Sequence, residues 1–154
     1  MTDSIGTWGS LVVFLALCFG ASFFGAKFRP GEWHAALEKP SWNPPNWLFA
    51  PVWAVLYIMI AVAGWLIWQS APGSSAIWFW AAQLVFNAAW SWLFFGLHRM
   101  DLAFFDIVLV WLAIVAFIIA AWPVSTVAAL LFVPYLLWVS FAGALNYAIW
   151  NLNK

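Results

Sequence analysis

Charged side chains are scarce in this sequence. Five lysines and arginines and five aspartates and glutamates occur among 154 residues, which is 6% of the chain, and the formal net charge is zero. So few charges cannot cover the surface of a soluble domain of this length. A chain without a basic cluster also lacks the electrostatic contact that nucleic-acid binding requires. We therefore predict no nucleic-acid partner.

Cysteine is nearly absent as well, since Cys18 stands alone inside an apolar run. A single cysteine excludes an intramolecular disulfide, a redox pair and a covalent haem attachment. The sequence also has no nucleophile and base pair, no cluster of metal ligands and no nucleotide-binding motif. We predict no catalytic residue, no metal site and no tightly bound cofactor. His34 is a weak candidate for a haem-iron ligand, because it is a lone histidine, and we do not assign it that role.

Apolar residues are abundant: 68% of the chain is hydrophobic, 21% is aromatic, and the mean hydropathy is +0.98. Five apolar runs each reach the roughly 20 residues that a helix needs to cross a bilayer. They cover about residues 8–26, 47–69, 76–97, 102–122 and 124–150. The sequence therefore predicts an all-α, multi-pass membrane protein, a single domain over residues 1–154 built as a bundle of five transmembrane helices in a lipid bilayer.

The cations predict the orientation of this bundle. All of the lysines and arginines lie in the first loop, the third loop or the C-terminal segment: Lys27, Arg29, Lys39, Arg99 and Lys154. With five spans, these three segments share one side of the membrane. The positive-inside rule then predicts an external N-terminus, with the C-terminus and the long first loop in the cytoplasm.

The first loop, residues 27–46, is the one long connection between spans, and loops of that length are commonly lids or binding elements. Its end reads PSWNPPNW, from Pro40 to Trp47. Proline cannot continue a helix and disfavours helix in the residue before it, so the segment is expected to be stiff and non-helical. Its tryptophans suit either membrane anchors or the wall of a binding site.

Three spans carry polar and aromatic residues at helical spacing. Gln83, Asn87 and Ser91 recur every four residues, which places them on one helical face. Comparable faces occur on the second span, with Trp53 and Tyr57, and on the fifth span, with Tyr135, Trp138, Ala142 and Asn146.

Two interpretations of these faces remain open. Amide and hydroxyl groups inside a bundle commonly serve as hydrogen bonds between helices. They can also line a shared pocket with aromatic walls, suited to a large, planar and mostly apolar ligand. Trp111 and Trp138 lie near the middle of their spans, where interfacial anchoring does not explain them. Each indole N–H at that depth needs an acceptor from the protein or a ligand.

Asp106 is a carboxylate inside the fourth predicted span, where an unpaired charge is costly. We expect Arg99 to pair with it and, together with Asp101, to form an ion cluster at the membrane interface. Pro134 lies inside the fifth span and is expected to kink that helix.

Three spaced motifs resemble one known family. They are KPSWNPP with APVWAVLY (residues 39–57), QLVFNAAWSWLFFG (residues 83–96) and FVPYLLWVSFAGALNY (residues 132–147). In this order, between five spans, they resemble the TspO/MBR family of tryptophan-rich sensory proteins and translocator proteins, also called the peripheral benzodiazepine receptor. The resemblance extends over nearly the whole chain.

This resemblance implies a bundle, often a homodimer, whose pocket opens toward the first loop. Family members bind porphyrins, haem precursors, sterols and isoquinoline carboxamides, so the expected ligand is a small, planar, hydrophobic molecule such as protoporphyrin IX or haem. Alanines 81, 82, 88 and 89 offer a seam for the dimer. By match to the family motifs, the ligand-binding residues are Trp42, Trp53, Tyr57, Asn87, Trp90, Trp138 and Ala142.

Three functions follow from these observations. The first is tetrapyrrole binding in sensing, regulation or transport, and the second is light-dependent porphyrin breakdown involving Trp53 and Trp138. The third is a membrane scaffold without a small-molecule ligand. The sterol motif of animal members is missed here by one position, because six residues separate Tyr147 from Lys154. We therefore favour a bacterial-type tetrapyrrole role over sterol binding.

Overall fold

The computed structural model describes residues 4–28 and 31–154, and every regular element in these residues is helical. Long apolar runs favour helices in lipid, because a helix satisfies its own backbone groups. The elements are α1 (Ser4–Ala26), α2 (Glu32–Ala36), a 3-10 turn (Asn46–Leu48), α3 (Phe49–Ser70), α4 (Ser75–Ser91), a π-helical turn (Trp92–Gly96), α5 (Met100–Ala121), α6 (Thr126–Leu131) and α7 (Val133–Leu152).

Four stretches of the described residues are long and apolar enough to cross a membrane. They are Gly6–Gly25, Phe49–Ser70, Met100–Ala121 and Thr126–Leu152. α4 is shorter, at 17 residues, and continues without a break through the five residues of the π-helical turn. The chain is thus an all-helical membrane bundle, as the composition predicts.

The helices pack closely at a glycine of α3. A Cβ atom on Gly64 would lie 2.6 Å from Nε1 of Trp80 on α4 and 2.9 Å from Cδ1 of Phe14 on α1. Real Cβ atoms do not approach other atoms so closely, so glycine is required for α1, α3 and α4 to meet there. Large apolar side chains also cover the outside, where Phe23 is 79% and Trp78 is 75% exposed. An apolar outer surface over a packed interior is the arrangement that lipid favours.

The last apolar run is divided rather than only kinked. α6 ends at Leu131, and α7 begins at Val133 with Pro134 in its first turn, where the missing N–H has no effect on helix hydrogen bonding. Phe132 lies between the two helices, is fully buried, and stacks on Phe117 of α5 with ring centroids 4.0 Å apart. This contact anchors the break in the core.

The first loop contains more helix than expected. The prediction of a non-helical Pro40–Trp47 segment is wrong at its end, because the 3-10 turn starts at Asn46. The N–H of Leu48 donates to the carbonyl of Pro45 at 3.1 Å. The fixed φ of proline suits the start of such a turn, so the same residues that prevent a longer helix initiate a short one.

Two sets of contacts fix the first loop to the bundle. Trp33 of α2 stacks on the His98 ring at 4.0 Å and meets Phe94 edge-on at 5.8 Å. The backbone N–H of Glu38 donates to Oδ1 of Asn153 at 3.0 Å, and Nδ2 of Asn153 donates to the carbonyl of Glu38 at 2.9 Å. The loop therefore lies against the end of α4 and the C-terminal end of α7.

Candidate functional site

Polar side chains of three helices meet inside the bundle. Tyr57 of α3 donates its hydroxyl to Oδ1 of Asn87 at 2.9 Å, and Nδ2 of Asn87 donates to the Tyr135 hydroxyl of α7 at 2.7 Å. That hydroxyl in turn donates to Oε1 of Gln83 at 2.7 Å. Gln83 and Tyr135 are fully buried. The spacing of Gln83 and Asn87 on α4 is what brings both amides to the same partner.

Two further hydrogen bonds lead from Gln83 back to α3, the helix that carries Tyr57. Nε2 of Gln83 donates to the carbonyl of Trp80 at 2.7 Å, and Nε1 of Trp80 donates to the carbonyl of Ile60 on α3 at 2.8 Å. We call the five side chains that make these bonds the polar layer: Tyr57, Trp80, Gln83, Asn87 and Tyr135. Each of the bonds described here joins protein to protein, as the interhelical interpretation of the stripe on α4 predicts.

Trp90 belongs to a different contact. Its Nε1 donates to Oδ1 of Asn146 at 2.9 Å, and Nδ2 of Asn146 donates to the carbonyl of Met100 at 3.1 Å. The Trp90 ring stacks on Phe94 at 5.0 Å and meets Phe95 edge-on at 5.6 Å. Trp90 thereby ties α4 to α7 near the π-helical turn, and its aromatic neighbours among the described residues are these phenylalanines.

Beside the polar layer, five aromatic rings form the group that we call the aromatic site. Trp53 and Trp138 are nearly perpendicular, at 87°, with centroids 6.3 Å apart. Trp138 also meets Phe49 at 5.7 Å and Phe141 at 5.6 Å, and Phe141 meets Trp42 of the first loop at 5.7 Å. Flat faces and edges in this arrangement can enclose an aromatic ligand.

Helical spacing explains how these rings come together. Phe49 and Trp53 are one turn apart on α3, and Trp138 and Phe141 are one turn apart on α7. Trp53 also contacts Tyr57 at 5.5 Å, so the aromatic site adjoins the polar layer directly. Phe49 and Phe141 were not among the residues predicted to bind ligand, although both lie within the ranges of the family motifs. Their spacing from the two tryptophans is the signal that would have identified them.

The residues predicted to bind ligand thus fall into three groups. Trp42, Trp53 and Trp138 lie in the aromatic site, and Ala142 is one turn beyond Trp138 on the same face of α7. Tyr57 and Asn87 lie in the polar layer, bonded to each other. Trp90 lies with Phe94 and Phe95 at the π-helical turn.

Hydrogen bonding distinguishes Trp138 from other tryptophans of the bundle. Its Nε1 is buried and has no hydrogen-bond partner among the residues that the structure describes. The indoles of Trp65, Trp80, Trp90 and Trp111 each donate to an oxygen at 2.8–3.0 Å. An unpaired buried donor destabilises the protein by about 1–3 kcal/mol. The aromatic site therefore contains a donor that a ligand acceptor would satisfy.

The predicted ion pair of Asp106 with Arg99 is wrong. Arg99 binds both oxygens of Asp101, with Nε to Oδ1 at 3.0 Å and Nη2 to Oδ2 at 2.8 Å. Asp106 is 6% exposed on the inner face of α5, and its Oδ2 has no partner within residues 4–28 and 31–154. The guanidinium fork fits one nearby carboxylate in a bidentate manner, so the closer aspartate takes both of its donors.

A cleft opens within the first loop. Nζ of Lys39 donates to the carbonyl of His34 at 2.6 Å and to that of Leu37 at 3.3 Å, and the His34 ring meets Phe95 edge-on at 5.3 Å. Partial burial, together with the positive charge of Lys39, lowers the pKa of His34. The loop cleft has a volume of about 530 Å³ and is lined by Gly31, His34, Ala35, Lys39, Asn43, Pro44 and Pro45.

The chain is an all-helical membrane bundle with an aromatic site next to a hydrogen-bonded polar layer, and these features define its class. Comparison with known proteins gives the family. Residues 11–151 match the TspO/MBR family model, so the chain belongs to the TspO/MBR family.

Named relatives cover nearly the same length. The chain is 41% identical to Protein CrtK of Rhodobacter capsulatus over 145 residues, which are 92% of this chain and 91% of that protein. It is 42% identical to the tryptophan-rich protein TspO of Chlorobaculum tepidum, over 94% of this chain and 96% of that one. It is 39% identical to the translocator protein of Bos taurus, over 96% and 92%. Bacterial and animal relatives are thus similarly distant.

Proposed function

We propose that this protein binds tetrapyrroles, with protoporphyrin IX as the model ligand, and that it serves in sensing, regulation or transport of such molecules. The observation that carries this proposal is the buried Nε1 of Trp138, which lies among the rings of the aromatic site and has no partner in the described part of the chain. A porphyrin offers flat apolar faces to those rings and oxygen or nitrogen acceptors to that donor. Isoquinoline carboxamides, which are also planar and carry a carbonyl acceptor, suit the same site.

The two parts of the site have separate tasks in this proposal. The aromatic site receives the ligand, and its edge-on contacts of 5.7–6.3 Å give way to stacking on the porphyrin. The polar layer keeps its own hydrogen bonds and acts as a rigid floor. Affinity then comes from ring stacking and from the Trp138 hydrogen bond, not from Asn87.

The first loop acts as the lid in the same proposal. Trp42 meets Phe141 of the aromatic site, while Asn153 holds the backbone of Glu38. Movement of the loop would expose the aromatic site to an entering ligand. The loop and the C-terminus lie on the cytoplasmic side, and α4 with its π-helical turn completes five membrane spans.

A fluorescence titration tests the proposal. Protoporphyrin IX is added in the dark to purified protein in detergent, and tryptophan quenching gives Kd for the wild type and for Trp138→Phe. Phenylalanine keeps a ring but removes the donor, so we expect saturable binding that weakens about tenfold, the effect of one lost hydrogen bond. Trp111→Phe is the matched control, since its Nε1 donates to Ser140 on α7 at 2.9 Å, and it should leave Kd unchanged.

Two results would contradict the proposal. Quenching that never saturates means partitioning into the micelle and favours a scaffold without a ligand. Saturable binding that Trp138→Phe and Trp111→Phe alter equally would remove the aromatic site from the proposal.

A further inference from the structure

Lys39 is a half-buried cation whose acceptors within residues 4–28 and 31–154 are all neutral. Its Nζ donates to two backbone carbonyls, and the salt bridge found in the described residues joins Arg99 and Asp101 instead. The carboxylates of the same loop, Glu32 and Glu38, are exposed and form no ion pair with it. An ammonium group away from bulk water is stabilised most by an anionic partner.

The loop cleft lies beside this cation, and no carboxylate is among the described residues that line it. Asn43 adds a second donor, because its Nδ2 makes only a long contact of 3.3 Å to the carbonyl of Pro44. His34 also lines the cleft, and its imidazole ring carries two polar nitrogens. The cleft therefore combines a positive charge, free donor capacity and enough volume for a carboxylate with its methylene chain.

The cleft is also adjacent to the aromatic site. Asn43 follows Trp42 in the chain, and Trp42 meets Phe141, which in turn contacts Trp138. A molecule with a flat apolar body and an anionic tail can thus place its body among the rings and its tail in the cleft. Protoporphyrin IX has this form, with its two propionate groups on one edge of the macrocycle.

We propose that the loop cleft binds a carboxylate of the tetrapyrrole, with Nζ of Lys39 as its cationic partner and Nδ2 of Asn43 as a second donor. This inference rests on the proposed function and adds to it the orientation of the ligand, carboxylates toward the loop. It also makes the charge of the ligand a determinant of affinity. A phosphate of an anionic lipid has the same chemistry, and the experiment separates the two sources.

The test compares protoporphyrin IX with its dimethyl ester, which keeps the macrocycle but carries no negative charge. Kd for both is measured in the dark for the wild type, Lys39→Gln and Lys39→Arg. A charge-assisted hydrogen bond to carboxylate is worth enough to favour the acid by roughly tenfold in the wild type. Lys39→Gln is expected to remove this preference, so that acid and ester bind with equal Kd, and Lys39→Arg is expected to keep most of it. Lys27→Gln removes an exposed cation of the same loop and should leave the ratio unchanged.

The ratio of Kd for the ester to Kd for the acid distinguishes a binding role of Lys39 from a merely structural one. If Lys39→Gln weakens acid and ester equally, the lysine only holds the loop together and the inference is overturned. Equal affinities in the wild type would overturn it as well, while the proposed function stands. If neither compound binds saturably, the proposed function itself has failed.

Bilayer composition separates the two anions. The titration is repeated in nanodiscs of phosphatidylcholine alone and with phosphatidylglycerol, and the preference for the acid is expected in both. A preference that disappears only with phosphatidylglycerol would assign the cleft to lipid phosphate and overturn the carboxylate assignment.

Discussion

The polar layer and the aromatic site are neighbours that differ in whether their hydrogen-bonding groups are paired. In the polar layer, hydroxyls and amides are linked at 2.7–2.9 Å across α3, α4 and α7. In the aromatic site, rings meet edge-on or tilted, and the buried Nε1 of Trp138 has no partner among the described residues. The bonds of the polar layer join helix to helix, whereas the aromatic site contains an unpaired donor, so the difference separates the part that holds the helices from the part that can recognise a molecule.

The largest expected effect follows from Tyr135→Phe, which breaks the polar layer at its centre. The Tyr135 hydroxyl accepts from Asn87 and donates to Gln83, so its loss leaves two amides without that partner. We expect the free energy of unfolding to fall by about 1–3 kcal/mol, measured by thermal or denaturant unfolding in detergent. Trp138→Phe should lower the free energy of unfolding by less in the same assay, because no hydrogen bond to a described residue is lost. Equal losses would show that the two regions do not differ in the way we describe.

A smaller effect is expected from Asn153→Ala at the other side of the aromatic site. The Asn153 side chain makes two hydrogen bonds to the backbone of Glu38, and their loss should weaken docking of the first loop by about 0.5–1.5 kcal/mol. Amide exchange at Glu38 should then speed up roughly two- to tenfold, with little change in the polar layer. Asn151→Ala, at an exposed position in the last turn of α7, is the control. Unchanged exchange in both variants would mean that other contacts hold the loop.

The smallest effect is a pH dependence of the same loop. His34 packs against Phe94 and Phe95 near Lys39, and its pKa is lower when docked than when released. The released loop therefore binds protons more readily, and docking is strongest above the ordinary histidine pKa and weakens as pH falls below about 6.5.

Exchange at the amides of α2 (Glu32–Ala36), corrected for the intrinsic rate, should increase as pH falls from about 7.5 to about 5. His34→Gln should flatten that dependence. Protection that stays constant over this range in the wild type would contradict the assignment to His34.

Local spacing made part of this site predictable. Gln83 and Asn87 lie one turn apart in the sequence, so their common face follows from the geometry of a single helix. That Tyr135 bonds to both also depends on how α4 and α7 pack, which one sequence does not specify. The family motifs supplied Trp53 and Trp138 for the same reason, since the part of the motif around each tryptophan is helical, in α3 and in α7.

What the sequence did not predict depends on contacts between distant segments. Asn153 and Glu38 are separated by 115 positions, and neither belongs to a motif. The π-helical turn arises where Leu97 donates to the carbonyl of Trp92 at 2.8 Å. A Cβ on Gly96, the last residue of that turn, would lie only 2.9 Å from Cδ1 of Phe28, which is distant in sequence. Arg99 binds Asp101 rather than Asp106 because Asp101 is the one that lies close to its guanidinium group. Composition and sequence spacing do not determine that distance.

The closed course of the polar layer limits how the bundle can open. The chain of hydrogen bonds leaves α3 at Tyr57 and returns to it at Ile60, after crossing α4 and α7. Sliding α4 along its axis by one turn, about 5.4 Å, would break every link between helices at once. The three helices are therefore fixed in axial register at one depth of the membrane. An opening wide enough for a planar ligand has to come from the loop end or from sideways separation of helices, and the interior below behaves as a fixed wall.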